Sequence, residues 1–294
     1  MKGNSFGMGS LFDSDFLKKL EQFQLWSKIM TQDGGAGNRK SRAKGSSVEF
    51  SDYREYIMGD DFKKIDWNAY GRFKKLFIKL FMEERESPVQ IFLDVSKSMD
   101  YGEPDKSIAS RRLAAAIAYI SLCNYDRVSI ACVNDKIDKF KSSLRGKNSF
   151  KEVMSLLENI EYSGTTNIYE TIAKYPFRFG KGVSLVISDF FCEGNYVDMI
   201  KYLQFKKQHV YVCHILSPQE ISPEIGESVR LIDSETGMYR EVAVSKNLLN
   251  MYNKAYQKFI NTFEENSAKM GVHYMLMETS LPIEELIRMV VSKE

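Results

Sequence analysis

The sequence predicts an α/β protein: a doubly wound, mostly parallel sheet flanked by helices. Short apolar runs recur at residues 88–94, 127–133, 182–188, 209–216 and 272–277. Each has the length of a strand and is too continuous to leave a solvent face, the pattern of strands covered on both sides. Between them lie segments of helical length, at 107–122, 150–160, 196–205, 245–270 and 282–291. Strand and helix in repeated alternation is how a parallel sheet is wired. Two of the runs lead directly into an aspartate, Asp94 and Asp189, at the sheet edge where open α/β folds bind ligands.

Composition sets the outer limits. At 294 residues and 44% hydrophobic, the chain can bury a large core and carry an extension. No apolar run approaches the roughly 18 residues that would mark a bilayer-spanning helix. Residues 1–10 lack the apolar centre of a secretory signal, so the expected location is cytoplasmic. Cys123, Cys132, Cys192 and Cys213 form no C-x-x-C pair, and reduced thiols are expected. A net charge of +2 argues against a dedicated nucleic-acid binder, which is usually more basic.

In order along the chain, residues 13–30 show an apolar helical face (Phe16, Leu17, Leu20, Phe23) behind Asp13 or Ser14 as N-cap. Residues 31–47 read as a mobile basic loop around Arg39-Lys-Ser-Arg-Ala-Lys44. Residues 48–72 interleave aromatics with charges and keep no period, which suits a folded collar or a recognition surface. Leu76, Ile78, Leu80 and Met82 alternate like a half-buried strand. Residues 136–140 are polar enough for an edge strand. Residues 217–244 break the α/β rhythm and hold a hairpin-like turn at Ser234-Glu-Thr-Gly237. In the 245–270 helix, Leu248, Tyr252, Tyr256, Phe259 and Phe263 form a stripe expected to be core. The expected organisation is therefore an N-terminal helix and loop (1–47), a charged aromatic block with a lead-in strand (48–87), and the α/β domain (88–294) with its 217–244 insertion.

Three segments put oxygen donors where the sheet ends. They are Asp94-x-Ser96-x-Ser98, Thr165-Thr166-Asn167 in a glycine-containing loop that opens a helix, and Asp189. Such hard donors suit a divalent ion such as Mg²⁺. Taken singly each has a plain explanation in turns and helix caps. Together, on one architecture, they point to a metal centre.

These segments resemble the metal-ion-dependent adhesion site of von Willebrand factor A domains. The resemblance assigns its five positions to Asp94, Ser96, Ser98, Thr166 and Asp189, with Mg²⁺ (or Mn²⁺ or Ca²⁺) as cofactor and Asp189 acting through water. Upstream, Val48-Glu-Phe-x-x-Tyr-Arg-x-Tyr56, Gly59-Asp-Asp-x-Lys-Lys-Ile-Asp-Trp67 and Lys79-x-Phe-x-Glu-Glu84 resemble the hallmark block of the bacterial domain of unknown function 58 family, which precedes an A-type domain there. That likeness spans roughly residues 40–290. Many relatives carry Arg where this chain has Lys63 and Lys64. The resemblance implies an adaptor that works with a MoxR-type AAA+ ATPase in protein assembly or maturation, with Arg54, Asp60, Asp61, Asp66 and Trp67 as candidate partner-binding residues.

The expected mechanism is binding without turnover, a partner Asp or Glu completing the metal's coordination. The competing reading is a metal-dependent hydrolase of phosphate esters, which would call for a general base or a second metal. His209 and His214 sit five residues apart on one strand and face opposite ways, and His273 lies in another apolar run. All three read as structural. There is no Walker loop.

Overall fold

The computed structural model describes residues 11–33, 49–82, 87–165, 167–177, 180–192, 196–223, 228–232, 239–243 and 245–292. The chain divides into two compact units, residues 35–86 and the remainder, 1–34 with 87–294.

The elements run α1 (Ser14–Asp33), β1 (Glu49–Glu55), α2 (Trp67–Phe73), β2 (Phe77–Met82), β3 (Pro88–Asp94), α3 (Lys106–Cys123), β4 (Arg127–Val133) and β5 (Ile137–Leu144). They continue with α4 (Phe150–Glu158), α5 (Ile168–Ala173), β6 (Gly182–Ser188), α6 (Tyr196–Phe205), β7 (Gln208–Leu216) and α7 (Pro218–Ile221). The chain ends with β8 (Ser228–Ile232), β9 (Tyr239–Ala243), α8 (Lys246–Lys269), β10 (His273–Glu278) and α9 (Ile283–Val291).

In the larger unit six strands form one sheet in the order β10-β7-β6-β3-β4-β5. All neighbours are parallel except β5, which runs antiparallel on β4 as the polar edge strand its sequence predicts. From β3 the chain winds outward through β4 and β5, then returns to place β6 on the other side of β3. That reversal is the switch point, and it opens a crevice at the carboxyl ends of β3 and β6. Leu93 stands opposite Ile187, so the two strands end level at Asp94 and Ser188.

The pleat sends alternate residues to opposite faces. Val89, Ile91 and Leu93 join a core with α1, α3, α4 and α9, while Phe92 joins a second core with α5, α6 and Phe263 of α8. α3 is buried along most of its length because it lies under both α1 and α9. α1 belongs to this core: Phe12, Phe16 and Leu20 are buried, and Arg112 bonds Asp13 at 3.0 Å and the Leu11 carbonyl at 2.9 Å. Asp13 caps the helix by accepting the Phe16 amide at 2.7 Å.

One expectation is corrected. Of the predicted core stripe on α8, Phe263 is buried, but Leu248 and Tyr252 are each 37% exposed. A 24-residue helix is about 36 Å long, and its neighbour β10 has six residues and spans about 20 Å. The first half of the helix overhangs the sheet, so periodicity there does not become burial.

The 35–86 unit is built on the antiparallel pair β1–β2 and the short α2. In the 217–244 region, β8 and β9 pair antiparallel as predicted; the turn at 234–237 lies outside the described residues, as does the basic loop at 39–44.

Candidate metal centre

At the sheet's carboxyl end a group of polar side chains is almost wholly withdrawn from solvent. Asp94 and Asp189 are 1% exposed, and Ser96, Lys106, Ser188, His214 and Ser217 are 0% exposed. Burial of this much polarity is costly unless the groups have partners; the carboxylates, hydroxyls and ammonium have them, and the His214 Nε2 has none among the described residues.

Asp94 leaves β3 with Oδ1 accepting the Ser96 amide at 2.9 Å and Oδ2 accepting the Ser188 hydroxyl at 2.6 Å. Ser96 and Ser98 hydroxyls lie 3.1 Å apart. Burial, and next the negative charge of Asp189, push the Asp94 carboxyl up to about 6, the expected response of two like charges sharing a dry site. Asp189 follows β6. Its Oδ1 accepts the Phe191 amide at 3.1 Å, and its Oδ2 receives the Lys106 ammonium at 2.7 Å. The chain turns sharply between these contacts: Phe190 adopts a left-handed backbone (φ 53°), strained for a side chain of its size. Its amide donates to the Ser188 hydroxyl at 2.9 Å. Ser188 thus ties Asp94 and the Asp189 turn together through one oxygen.

Lys106 also pairs with Glu220 of α7 at 2.5 Å. Glu220 is held in turn by the Ser217 amide (2.8 Å) and hydroxyl (3.0 Å). Burial pulls the Lys106 ammonium down, but Asp189 and Glu220 outweigh it and leave the ammonium above its ordinary range. Gly102 brings the loop after β3 onto the loop after β7. With φ +99°, a Cβ there would stand 2.4 Å from that of Ser217, so no other residue fits.

His214 is buried among Phe190, Phe259, Phe263 and Tyr274. Its Nδ1 bonds the Tyr274 hydroxyl at 2.8 Å. Burial drives its imidazole down to about 4, so it is neutral at physiological pH. His209 on the same strand is exposed; the opposite-facing pair read from the sequence is what the sheet produces.

Of the five predicted ligand positions, the fold brings Asp94, Ser96, Ser98 and Asp189 to one crevice, while Thr166 lies outside the described residues. Its neighbour Asn167 caps α5, accepting the Glu170 amide at 3.3 Å. No group of three or more His, Cys, Asp or Glu side chains placed to hold a metal occurs among the described residues. A centre here would rest on two carboxylates and several hydroxyls.

The donors nevertheless fit a divalent ion. Asp94, Asp189 and Glu220 bring three negative charges, Lys106 returns one, and His214 is neutral. Two negative charges remain in a dry crevice lined with hard oxygens, the complement of one Mg²⁺.

Reasoning from the sequence missed Lys106 and Glu220. A signal was present for the first. A lysine in the opening turn of a helix opposes the positive end of the helix dipole, and Lys106 follows directly on the N-cap Asp105, whose carboxylate accepts the Ser107 amide at 2.6 Å. Such a placement calls for an anion nearby.

The other predicted residues lie in the 35–86 unit and serve each other. Arg54 donates from its Nη2 to both Asp60 carboxylate oxygens, at 2.9 and 3.0 Å, and Asp60 also accepts the Ile57 amide at 2.9 Å. Asp61 accepts the Lys63 amide at 3.0 Å. Asp66 caps α2 through the Asn68 and Ala69 amides (2.9 and 3.2 Å) and accepts the Tyr53 hydroxyl at 2.7 Å. Trp67 is 64% exposed, with Phe62, Phe73 and Met58 more exposed still.

Fold and site define a doubly wound α/β protein with a buried carboxylate–hydroxyl centre at its switch point. The chain belongs to the family described as protein of unknown function DUF58, whose model matches residues 52–260. Uncharacterized protein Mb1516 of Mycobacterium bovis and uncharacterized protein Rv1480 of Mycobacterium tuberculosis are each 21% identical to it over 255 residues, covering 84% of this chain and 80% of the relative. Among solved structures, BatB from Bacteroides thetaiotaomicron aligns with a TM-score of 0.42 at 16% identity, over 71% of this chain and 100% of that one. An aerotolerance-related membrane protein from Bacteroides fragilis gives 0.43 at 16% identity, with the same coverage. Likeness at that level carries no argument. Among the described residues no helix is long and apolar enough to cross a membrane.

Proposed function

We propose that this protein is a non-catalytic, Mg²⁺-dependent binding module of von Willebrand factor A type, serving as adaptor to a MoxR-type AAA+ ATPase in protein assembly. The observation that carries the reading is the convergence of Asp94, Ser96, Ser98 and Asp189 on one crevice with two negative charges uncompensated. Asp94, Ser96 and Ser98 would hold the ion, with Thr166 contributing on the strength of the family resemblance. Asp189 is engaged at both oxygens and would act through water. The bound ion would supply a Lewis-acidic position for a partner's Asp or Glu, making a charge-assisted contact that depends on metal.

Histidine placement favours binding over turnover. His214 is enclosed by rings with its imidazole held neutral, and His209 is exposed at the amino-terminal start of β7, the end away from the crevice, so neither supplies a poised general base. The exposed aromatics around Trp67 would give the partner a second surface.

The test is affinity capture from the native cell in Mg²⁺, repeated in chelator and with Asp94→Ala. An AAA+ ATPase recovered only with metal and intact Asp94 supports the adaptor reading. Recovery indifferent to both would remove the metal-bridged mechanism and shift attention to the 48–67 block.

A further inference from the structure

We propose that Lys106 is the resident counter-ion of this centre: it fixes Asp189 in place before any metal arrives, and its charge holds metal affinity down so that occupancy stays reversible. The proposal rests on the metal-site reading above and adds to it a residue outside the five-position pattern.

The ammonium of Lys106 is completely buried, at the start of α3, where the helix dipole disfavours it. A long cationic side chain stays in such a place only when anions hold it. Two do, Asp189 at 2.7 Å and Glu220 at 2.5 Å. The rings of Tyr101 and Phe191, 5.7 and 5.6 Å from the ammonium, add cation–π contacts. These partners come from the loops after β3 and β6 and from α7, which follows β7. Lys106 therefore links all three loops that frame the crevice through its own contacts.

Two consequences follow from electrostatics. First, the Asp189 Oδ2 is committed to the ammonium, so the lysine itself would orient this carboxylate whether or not a metal is bound. Second, an ammonium beside a doubly charged ion in a poorly screened site repels it strongly. Removing Lys106 leaves the centre with a net charge of three negative instead of two. The metal-free centre then loses stability, and the metal binds more tightly.

The experiment compares full-length wild type, Lys106→Met and the double variant Lys106→Met/Glu220→Gln, all stripped with chelator. Thermal unfolding is followed with and without millimolar Mg²⁺, and Mn²⁺ binding is titrated by electron paramagnetic resonance, with Asp94→Ala as the binding-deficient control. Wild type is expected to gain little from Mg²⁺. Lys106→Met should melt lower without metal and recover with it. The double variant removes one of the stranded carboxylates and restores the wild-type net charge, so it should tolerate the stripped state better even if the single variant fails to fold; if it is as unstable as Lys106→Met, the loss is one of packing and the proposal falls. Lys106→Met should bind Mn²⁺ at least about tenfold more tightly than wild type, and the double variant, with its net charge back at two negative, about as tightly as wild type. If wild type binds Mn²⁺ and Lys106→Met binds no tighter, Lys106 is only a structural tether and the proposal falls while the metal site stands. If no chain binds Mn²⁺, the metal-site reading falls and takes the proposal with it.

Discussion

Two groups of aspartates were read from this sequence as functional, and the structure gives them different surroundings. In the 35–86 unit, Asp60 and Asp66 answer to groups close in sequence: an arginine six residues away, a tyrosine thirteen residues away, and backbone amides within three residues. In the larger unit Asp94 and Asp189 come from strands far apart in the chain, stand together in a dry crevice, and raise each other's energy when ionised. Carboxylates whose partners are local N–H donors and one arginine build a fold. Carboxylates forced together without full compensation hold a capacity to bind a cation.

That contrast can be broken most sharply at Asp94. Its folded pKa is about 6 against 3.8 for the unperturbed group. An acid shifted upward costs nothing below pH 3.8, and its penalty grows until it is full above pH 6. In metal-free protein at pH 7, Asp94→Asn should therefore raise stability, by up to about 3 kcal/mol. The same change should abolish any stabilisation by Mg²⁺. Urea unfolding with and without chelator measures both.

The next effect is the pH profile of that variant. His214 has a folded pKa of about 4 against 6.5 unperturbed. Its contribution to stability is full above pH 6.5 and is lost as pH falls through 4. Asp94 and His214 thus pull in opposite directions between pH 4 and 6, and metal-free wild type should be nearly flat there. Asp94→Asn exposes the histidine alone, and its unfolding free energy should drop by about 2–3 kcal/mol between pH 6.5 and 4.5. A flat profile in the variant would show that His214 is not held neutral by its aromatic enclosure.

Asp66→Ala tests the other group. It removes a helix cap and leaves the Tyr53 hydroxyl without that acceptor, so a loss of about 1–3 kcal/mol is expected, identical with and without Mg²⁺. A metal-dependent loss would erase the distinction between the two groups. The smallest expected effect is Trp67→Ala, within about 0.5 kcal/mol in stability because the indole is mostly exposed. Partner recovery should nonetheless fall if this surface docks the ATPase.

Much of the sheet was legible in the sequence. The runs at 88–94 and 182–188 coincide with β3 and β6 because a strand covered on both faces must be apolar throughout, and that requirement is local. Asp94 and Asp189 stood out for the same reason, as polar residues at the ends of such runs. The α8 stripe shows the limit. Its period was correct, yet whether a face is covered depends on how far the neighbouring strand reaches, which period alone does not encode.

By itself the sequence determined the strands of the six-stranded sheet and the main helices between them, the aspartates that close β3 and β6, and membership of a family through its aromatic and charged block; it did not determine β1 and α2, which lie in the aperiodic 48–72 stretch. Only the tertiary structure decided that β3 and β6 are neighbours across the switch point and end level. It alone placed the Lys106 ammonium between carboxylates 83 and 114 residues away. Local periodicity follows from the backbone geometry of a few residues, whereas the charge of a buried crevice is a sum over groups that meet only when the sheet closes.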